Sequence, residues 1–288
     1  MTVVLPTFNE EQAIGLVIDE LKQNGYSNIL VVDGRSKDNT AAIALEKGAR
    51  VILQHGSGKR DALENAFRSV KTKYTLIMDA DMTYNPRDIR LLLEHGGDFD
   101  EVVGARDFST PHMPRLHKIG NWILATAFNA FFGTKLRDVC SGMYLVRTSL
   151  ARRLEFFGSR MAVEEVVLAQ MCTMGRVTDV TIDYRPRVGR KPSVRTWRQG
   201  FVDLVTIILL ARKYNPIMLF SAISGSAFVP ATILLAYAAI QNYVFGIFPT
   251  GTILFGVLLL LFAAQGLTVA TMSLQIRRIE KMLRDAWR

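Results

Sequence analysis

Apolar and polar positions follow two rhythms along this chain, and the change between them falls near residue 214. Over the first 80 residues, apolar runs of strand length alternate with helical stretches. Val3–Leu5 reads as a short buried strand, Ile29–Val32 as a second ending at Asp33, and Val51–Leu53 as a third. Thr75–Met78 is a fourth and runs into Asp79-Ala80-Asp81. Between them, Glu10–Asn24 carries Ile14, Val17, Ile18 and Leu21 at helical spacing, and Asp38–Lys47 and Lys59–Val70 read as further helices. This alternation predicts an α/β domain on a mainly parallel, doubly wound sheet. Ligands in such sheets bind beyond the carboxyl ends of the strands. Three predicted strands end in polar clusters, at Pro6–Glu10, Asp33–Asp38 and Asp79–Asp81, so the pattern predicts that all three meet at one crevice.

Residues 215–276 contain no Asp, Glu, Lys, Arg or His. A spanning helix needs about 20 apolar residues. Residues 216–239 and 252–275 each suffice, which predicts a two-helix transmembrane hairpin; a buried hairpin of a soluble protein is the competing reading. The connector 240–251 holds the breakers Gly246, Pro249 and Gly251, with Tyr243, Phe245 and Phe248 suited to a membrane interface. Pro230 is tolerable inside a membrane helix. Ala222/Ser226 and Ser221/Gly225 are small-residue pairs that suggest close helix packing and leave room for homo-oligomers through the transmembrane helices. Residues 119–132 and 201–211 are too short to span and read as interfacial helices, with a core helix as the alternative for the first. Gln199, Asp203 and Thr206 fall on one face of the second. Trp122, Trp197 and Trp287 all lie in or beside segments read as membrane-surface.

Charge sharpens this division. The 288 residues carry a formal net charge of +9. Residues 1–181 hold 22 basic and 22 acidic side chains, residues 182–214 eight and two, and residues 277–288 five and two. The excess therefore flanks the uncharged block, which points to a membrane and away from nucleic acid. The positive-inside rule predicts both ends cytoplasmic, and the opening Thr2-Val3-Val4-Leu5 has no basic leader before it. The expected organisation is a cytoplasmic domain over 1–195, a juxtamembrane amphipathic helix over 196–214, the hairpin over 215–276 and a basic tail over 277–288, in a multi-pass protein of the cell (plasma) membrane. A 49% hydrophobic composition excludes disorder. Cys140 and Cys172 exclude a disulfide framework, and His55, His95, His112 and His117 form no zinc pattern.

Asp79 and Asp81 carry most of the chemistry. In an extended segment they point to the same side, where they repel unless a cation lies between them. Paired carboxylates suit a hard divalent ion, Mg2+ or Mn2+, shared with substrate phosphates. A solvated strand end is the bland alternative. Gly56-Ser57-Gly58-Lys59 is not a phosphate loop of the Walker type, because its first Gly would fall at Leu53 and Arg60 replaces the metal-binding hydroxyl. It reads as a turn and helix start, with Lys59 a candidate phosphate contact. Asp33 has a second reading as a cap on the Gly34 turn, and Arg106 as a structural partner of Asp107 or Asp138. The basic run 185–191 has one as a lipid anchor.

The ordered series Leu5-Pro6-Thr7-Phe8-Asn9-Glu10, Val32-Asp33-Gly34, Gly56–Arg60 and Met78–Asp81 resembles family 2 glycosyltransferases of the GT-A (Rossmann-like) fold. Gly104-Ala105-Arg106 and Asp138-Val139-Cys140-Ser141-Gly142-Met143 continue the likeness, which covers residues 1–195 and is nearest the polyprenol-phosphate sugar transferases of the dolichol-phosphate mannose synthase type. The resemblance implies inverting transfer of one sugar from a nucleotide-diphosphate sugar, GDP-mannose or UDP-glucose in kind, to a polyprenyl or dolichyl phosphate. It assigns Pro6, Thr7, Glu10, Asp33, Lys59 and Asp79 to the nucleotide-sugar, and Asp79 and Asp81 to the metal. Arg106, Arg115, Lys118, Ser141 and Arg187 fall to the acceptor phosphate, with Asp81, Arg106 and Arg187 catalytic. Thr83 stands where the family often has a further metal ligand. Glu164 and Glu165 stand where other members keep a base; an exposed or supporting role is expected here, because a phosphate monoester is largely dianionic at neutral pH and already nucleophilic. Two alternatives remain at this point: a processive polysaccharide synthase, against which Arg195-Thr196-Trp197-Arg198-Gln199 has the wrong order, and a non-catalytic membrane scaffold on a degenerate transferase domain.

Overall fold

The computed structural model describes residues 1–109, 115–156, 162–189 and 196–286. The chain divides into two units, residues 1–207 and 208–288.

In the first unit the elements run β1 (Thr2–Thr7), α1 (Ile14–Gln23), β2 (Ile29–Asp33), α2 (Thr40–Glu46), β3 (Arg50–Leu53), α3 (Lys59–Ser69), β4 (Tyr74–Ile77), α4 (Ile89–His95), β5 (Glu101–Arg106), α5 (Arg115–Phe132), β6 (Tyr144–Arg147), α6 (Thr148–Ala151), α7 (Val163–Met174) and β7 (Val177–Ile182). Helix α8 (Thr196–Tyr214) runs across the division. The predicted strands and helices of the first 80 residues all form, with small shifts at their ends. Helix α1 starts at Ile14, not Glu10, because the carbonyl of Glu10 accepts the amides of Ala13 and Ile14 in a turn that leaves the Glu10 side chain in the crevice.

The seven strands are ordered β3-β2-β1-β4-β6-β5-β7. All neighbours are parallel except β6, which runs antiparallel to both β4 and β5. The sheet is thus mixed on a mainly parallel base. Strands β2, β1 and β4 lie side by side and parallel, so their carboxyl ends meet as the polar clusters predicted. Every residue of β2 is buried, as expected for a strand covered by helices on both faces. The stripe Ile14, Val17, Ile18 and Leu21 of α1 is wholly buried in the core, each such side chain contributing about 1.5–3 kcal/mol.

Two helices of this unit show apolar side chains to solvent. In α5, Leu124, Ala125 and Phe128 are buried, while Leu116, Ile119, Trp122 and Ile123 are exposed. In α8 the polarity is reversed: Asp203 is buried, and Phe201 and Val205 are exposed. The polar face expected over Gln199, Asp203 and Thr206 therefore turns inward at Asp203.

The second unit is a hairpin of α9 (Pro216–Phe245) and α10 (Thr250–Ala286), each long and apolar enough to cross a membrane. Their connector is much shorter than expected, because α9 continues to a left-handed cap at Gly246 and α10 begins at Thr250. The helices meet along Ser224, Ala227, Ala231 and Ala238 of α9 and Ala263 and Ala270 of α10. A Cβ on Gly266 would lie 2.2 Å from Ser224 Oγ. Within the hairpin, Ala222, Gly225 and Ser226 are exposed and the seam lies on the neighbouring face.

Candidate active site

The crevice is built from the loops after β1, β2 and β4. Asn9, Arg35 and Met82 are the non-glycine residues with positive φ among the described residues (57°, 62° and 68°), and one lies in each of these loops. Such backbone costs on the order of 1–3 kcal/mol per residue and persists only where neighbours enforce it. Here the enforcing bonds cross between loops: the side-chain Oδ1 of Asn9 accepts the backbone amide of Lys37, and the backbone amide of Asn9 donates to Ser36 Oγ.

Asp79 and Asp81 follow β4, and each meets a cation. Lys59 Nζ lies 2.5 Å from Asp79 Oδ1 and also bonds the Glu164 carboxylate. The glycine turn makes this possible: Gly56 and Gly58 both have positive φ, and Gly58 stands at the N-cap of α3, with Lys59 its first residue. Burial opposes the charge on Lys59, but Asp79 and Glu164 outweigh it and hold the ammonium well above its ordinary range. Arg187 Nη1 lies 3.2 Å from Asp81 Oδ2, and Nη2 bonds Glu10. Burial and the neighbouring Asp79 raise the Asp81 carboxyl, while Thr83 and Arg187 pull it down. Burial raises Glu10 to about 6 despite Arg187.

The segment 183–188 is strapped over the Asp81 loop. The amide of Arg185 donates to Thr83 O (2.9 Å) and that of Val188 to Asp81 O (3.0 Å). Tyr84 and Tyr184 pair as an isolated bridge, with their rings edge-on at 5.6 Å. Thr83 Oγ1 donates to Asp81 Oδ1 at 2.5 Å, so in this structure it orients the aspartate. On the other side, the amide of Gly142 donates to Tyr84 Oη, and a Cβ there would lie 2.1 Å from Asp79 Oδ2. The glycine of the 138–143 motif thus makes room for Asp79. Beside this group, Asn9, Glu10, Gln12, Lys37, Asp38 and Gly189 line a cleft of about 450 Å³.

The structure gathers Glu10, Lys59, Asp79, Asp81 and Arg187 of the sequence-derived set. Pro6 and Thr7 end β1 nearby, with Thr7 Oγ1 buried and unpartnered. Three further residues of that set have partners within the protein. Asp33 is 1% exposed and accepts both the amide and the hydroxyl of Ser36, so it braces its own turn. Ser141 points inward and donates to Gly104 O at 2.5 Å. Arg106 gives Nε and Nη2 to the buried Asp138 at 2.6 and 2.9 Å, so its charge is answered within the protein. Lys118 lines a different hollow with Trp122 and Arg137. The Arg115 side chain, Arg190, Lys191 and the side chains of Trp197 and Trp287 lie outside the described residues.

Sequence reasoning missed the pairing of Glu164 with Lys59, and Glu165 is buried, not exposed. Glu165 accepts from Cys140 Sγ at 3.1 Å, and its carboxylate and that of Asp203 approach the same thiol within 4.8 Å. Burial, with Asp203 beside it, pushes Glu165 well up; burial raises Asp203 to about 7. No sequence signal marks this trio, because its members are 25 and 38 residues apart along the chain.

Comparison with known proteins agrees with this architecture. The glycosyl transferase family 2 signature matches residues 2–154. The chain is 29% identical over 294 residues to glycosyltransferase AglJ of Haloferax volcanii, covering 97% of each. It is 32% identical over 193 residues to a dolichyl-phosphate hexose transferase of the same organism, covering 66% of this chain and 84% of that one. It is 23% identical over 298 residues to dodecaprenyl-phosphate galacturonate synthase of Rhizobium johnstonii, covering 96% and 88%. In fold it is similar to glucosyl-3-phosphoglycerate synthase of Mycobacterium tuberculosis, solved with Mn2+, UDP and glucosyl-3-phosphoglycerate (TM-score 0.62, 21% identity, 73% and 79% covered). With that signature over more than half its length, the chain belongs to glycosyl transferase family 2 and is a glycosyltransferase.

Proposed function

We propose that this protein transfers one sugar from a nucleotide-diphosphate sugar to a polyprenyl phosphate, with inversion at the anomeric carbon. The observation that carries the reading is the crevice in which Asp79 and Asp81 meet Lys59 and Arg187. The two carboxylates suit a divalent ion, and the cations beside them suit a diphosphate. When bound, that ion neutralises the leaving diphosphate. Asp79 and Asp81 would hold it, and Lys59 would face the diphosphate. Arg187 would lie between donor and acceptor phosphates, screening two anions that otherwise repel. An oxygen of the acceptor phosphate attacks the anomeric carbon, and the bond to the diphosphate breaks on the opposite side.

The lipid acceptor is supported by the relatives that carry dolichyl- and dodecaprenyl-phosphate in their names. It is also supported by the apolar surface of the transferase unit. A hollow of about 270 Å³ lined by Ile119, Ile123, Phe201 and Leu204 runs between α5 and α8 and is almost wholly apolar. We take α9 and α10 as membrane spans with the transferase unit and both ends on the cytoplasmic side, as the flanking basic residues favour.

The test is incubation of the detergent-solubilised protein with radiolabelled GDP-mannose, UDP-glucose or a related donor, polyprenyl phosphate and Mn2+ or Mg2+. Label from one donor should move into the organic phase. Donor hydrolysis without lipid labelling, for every donor tried, would remove the acceptor assignment.

A further inference from the structure

We infer that Lys59 and Arg187 are exchangeable counter-ions of Asp79 and Asp81, each kept in the crevice by a second acid, so that the divalent cation binds well only together with a nucleoside diphosphate. This rests on reading the crevice as the donor site and adds the order in which that site fills. Glu164 and Glu10 then act as positioning residues.

The geometry is paired. Lys59 touches Asp79 and Glu164; Arg187 touches Asp81 and Glu10. Each cation therefore bonds one acid of the Asp79/Asp81 pair and one acid outside it. Four carboxylates and two cations leave a formal charge of −2. A divalent ion arriving alone must take Asp79 and Asp81 from their partners, and it then stands beside two positive groups in a half-buried crevice where screening is weak. A diphosphate arriving with the ion supplies the anionic partner that Lys59 and Arg187 lose. Glu164 and Glu10 hold the two cations nearby during the exchange, instead of releasing two long side chains to solvent. Because coupling between two ligands is reciprocal, the ion and the diphosphate tighten each other by the same factor.

The backbone also favours a local exchange. The Arg185 and Val188 amides tie the strap to Thr83 O and Asp81 O, and Arg185 is anchored to Glu20 at 3.0 Å. The guanidinium of Arg187 can leave Asp81 while its backbone stays in place.

Binding of Mn2+ to the detergent-solubilised full chain, followed by loss of the free-ion electron paramagnetic resonance signal after subtraction of the Mn2+ that UDP or GDP chelates without protein, tests this with no transfer step. In the wild type, UDP or GDP should tighten Mn2+ by at least about tenfold. Arg187→Gln should bind Mn2+ alone about tenfold more tightly and show a smaller nucleotide effect. Glu10→Gln should move the opposite way, because Arg187 then has Asp81 as its remaining acid. Arg185→Gln removes the same charge from the same strap without touching either aspartate; the backbone amides of Arg185 and Val188 still hold the strap to Thr83 O and Asp81 O, so Mn2+ binding should be unchanged. Equal shifts for Arg187→Gln and Arg185→Gln would reduce the effect to bulk charge and overturn the exchange. Mn2+ binding that is equally tight with and without nucleotide would overturn it as well. Failure to bind Mn2+ with either nucleotide would sink the donor-site reading too, whereas failure of lipid labelling alone would strike only the acceptor.

Discussion

Two groups of half-buried or buried acids in the transferase unit are neutralised by different means. In the crevice, Asp79, Asp81, Glu10 and Glu164 are answered by Lys59 and Arg187. In the scaffold, Glu101, Glu165 and Asp203 have no ion-pair partner among the described residues, and burial raises all three carboxyls. A proton satisfies a carboxylate that has one job, which is to stay put. A side-chain cation can be traded for another cation, which is what a site that takes a metal requires.

The contrast can be broken most directly at Asp81. Asp81→Ala should lower transfer by about a thousandfold with normal folding and membrane insertion, read by lipid labelling and by circular dichroism. Near-normal turnover would end the metal assignment. Next comes pH. Glu101 is 2% exposed, its Oε2 has no partner, and burial alone raises it to about 8 from 4.5. The folded state therefore binds a proton that the unfolded chain has released. This contribution is complete below about pH 4.5 and is lost as pH rises through 8, so thermal stability should fall between pH 6 and 9 by an amount on the order of 2–4 kcal/mol. Glu101→Gln should make that slope shallower, leaving the share of Asp203 and Glu165 in place; an unchanged slope would assign it elsewhere.

A third test sits at the border of the two regions. A Cβ on Gly142 would lie 2.1 Å from Asp79 Oδ2, so Gly142→Ala should displace the aspartate and cost about ten- to a hundredfold in transfer, with little loss of stability. Unchanged rates would mean that Asp79 has freedom the crevice does not suggest. The smallest effect is expected at Glu165→Gln, an isosteric change at a carboxyl that burial pushes well up, which should shift stability at pH 7 by less than about 1 kcal/mol. A large loss there would mean that Glu165 is ionised and that the scaffold group is not neutralised by protons.

Much of this was legible in residue order. The alternation of strand and helix before residue 80 and the convergence of three strand ends follow from local patterning, and the uncharged block from composition. The antiparallel insertion of β6 was not legible, because a short apolar run has the same look in either direction. Partner choice was the other blind spot. Arg106 already had Asp138 among its expected structural partners and is bound twice to it, whereas nothing in the sequence marked Arg187 as shared between Asp81 and Glu10. The Arg187–Glu10 pairing joins residues 177 positions apart, and spacing along a chain carries no information about it. Asp33 is the opposite case: its partner is three residues away, and the turn-bracing role was one of the two readings its sequence offered.

The left-handed residues Asn9, Arg35 and Met82 carry one more implication. An L-amino acid in that conformation forgoes stability that glycine would retain, so each marks a position where side-chain identity has outweighed robustness. These are the places where a sturdier protein could be engineered, and where doing so would show what those three side chains are for.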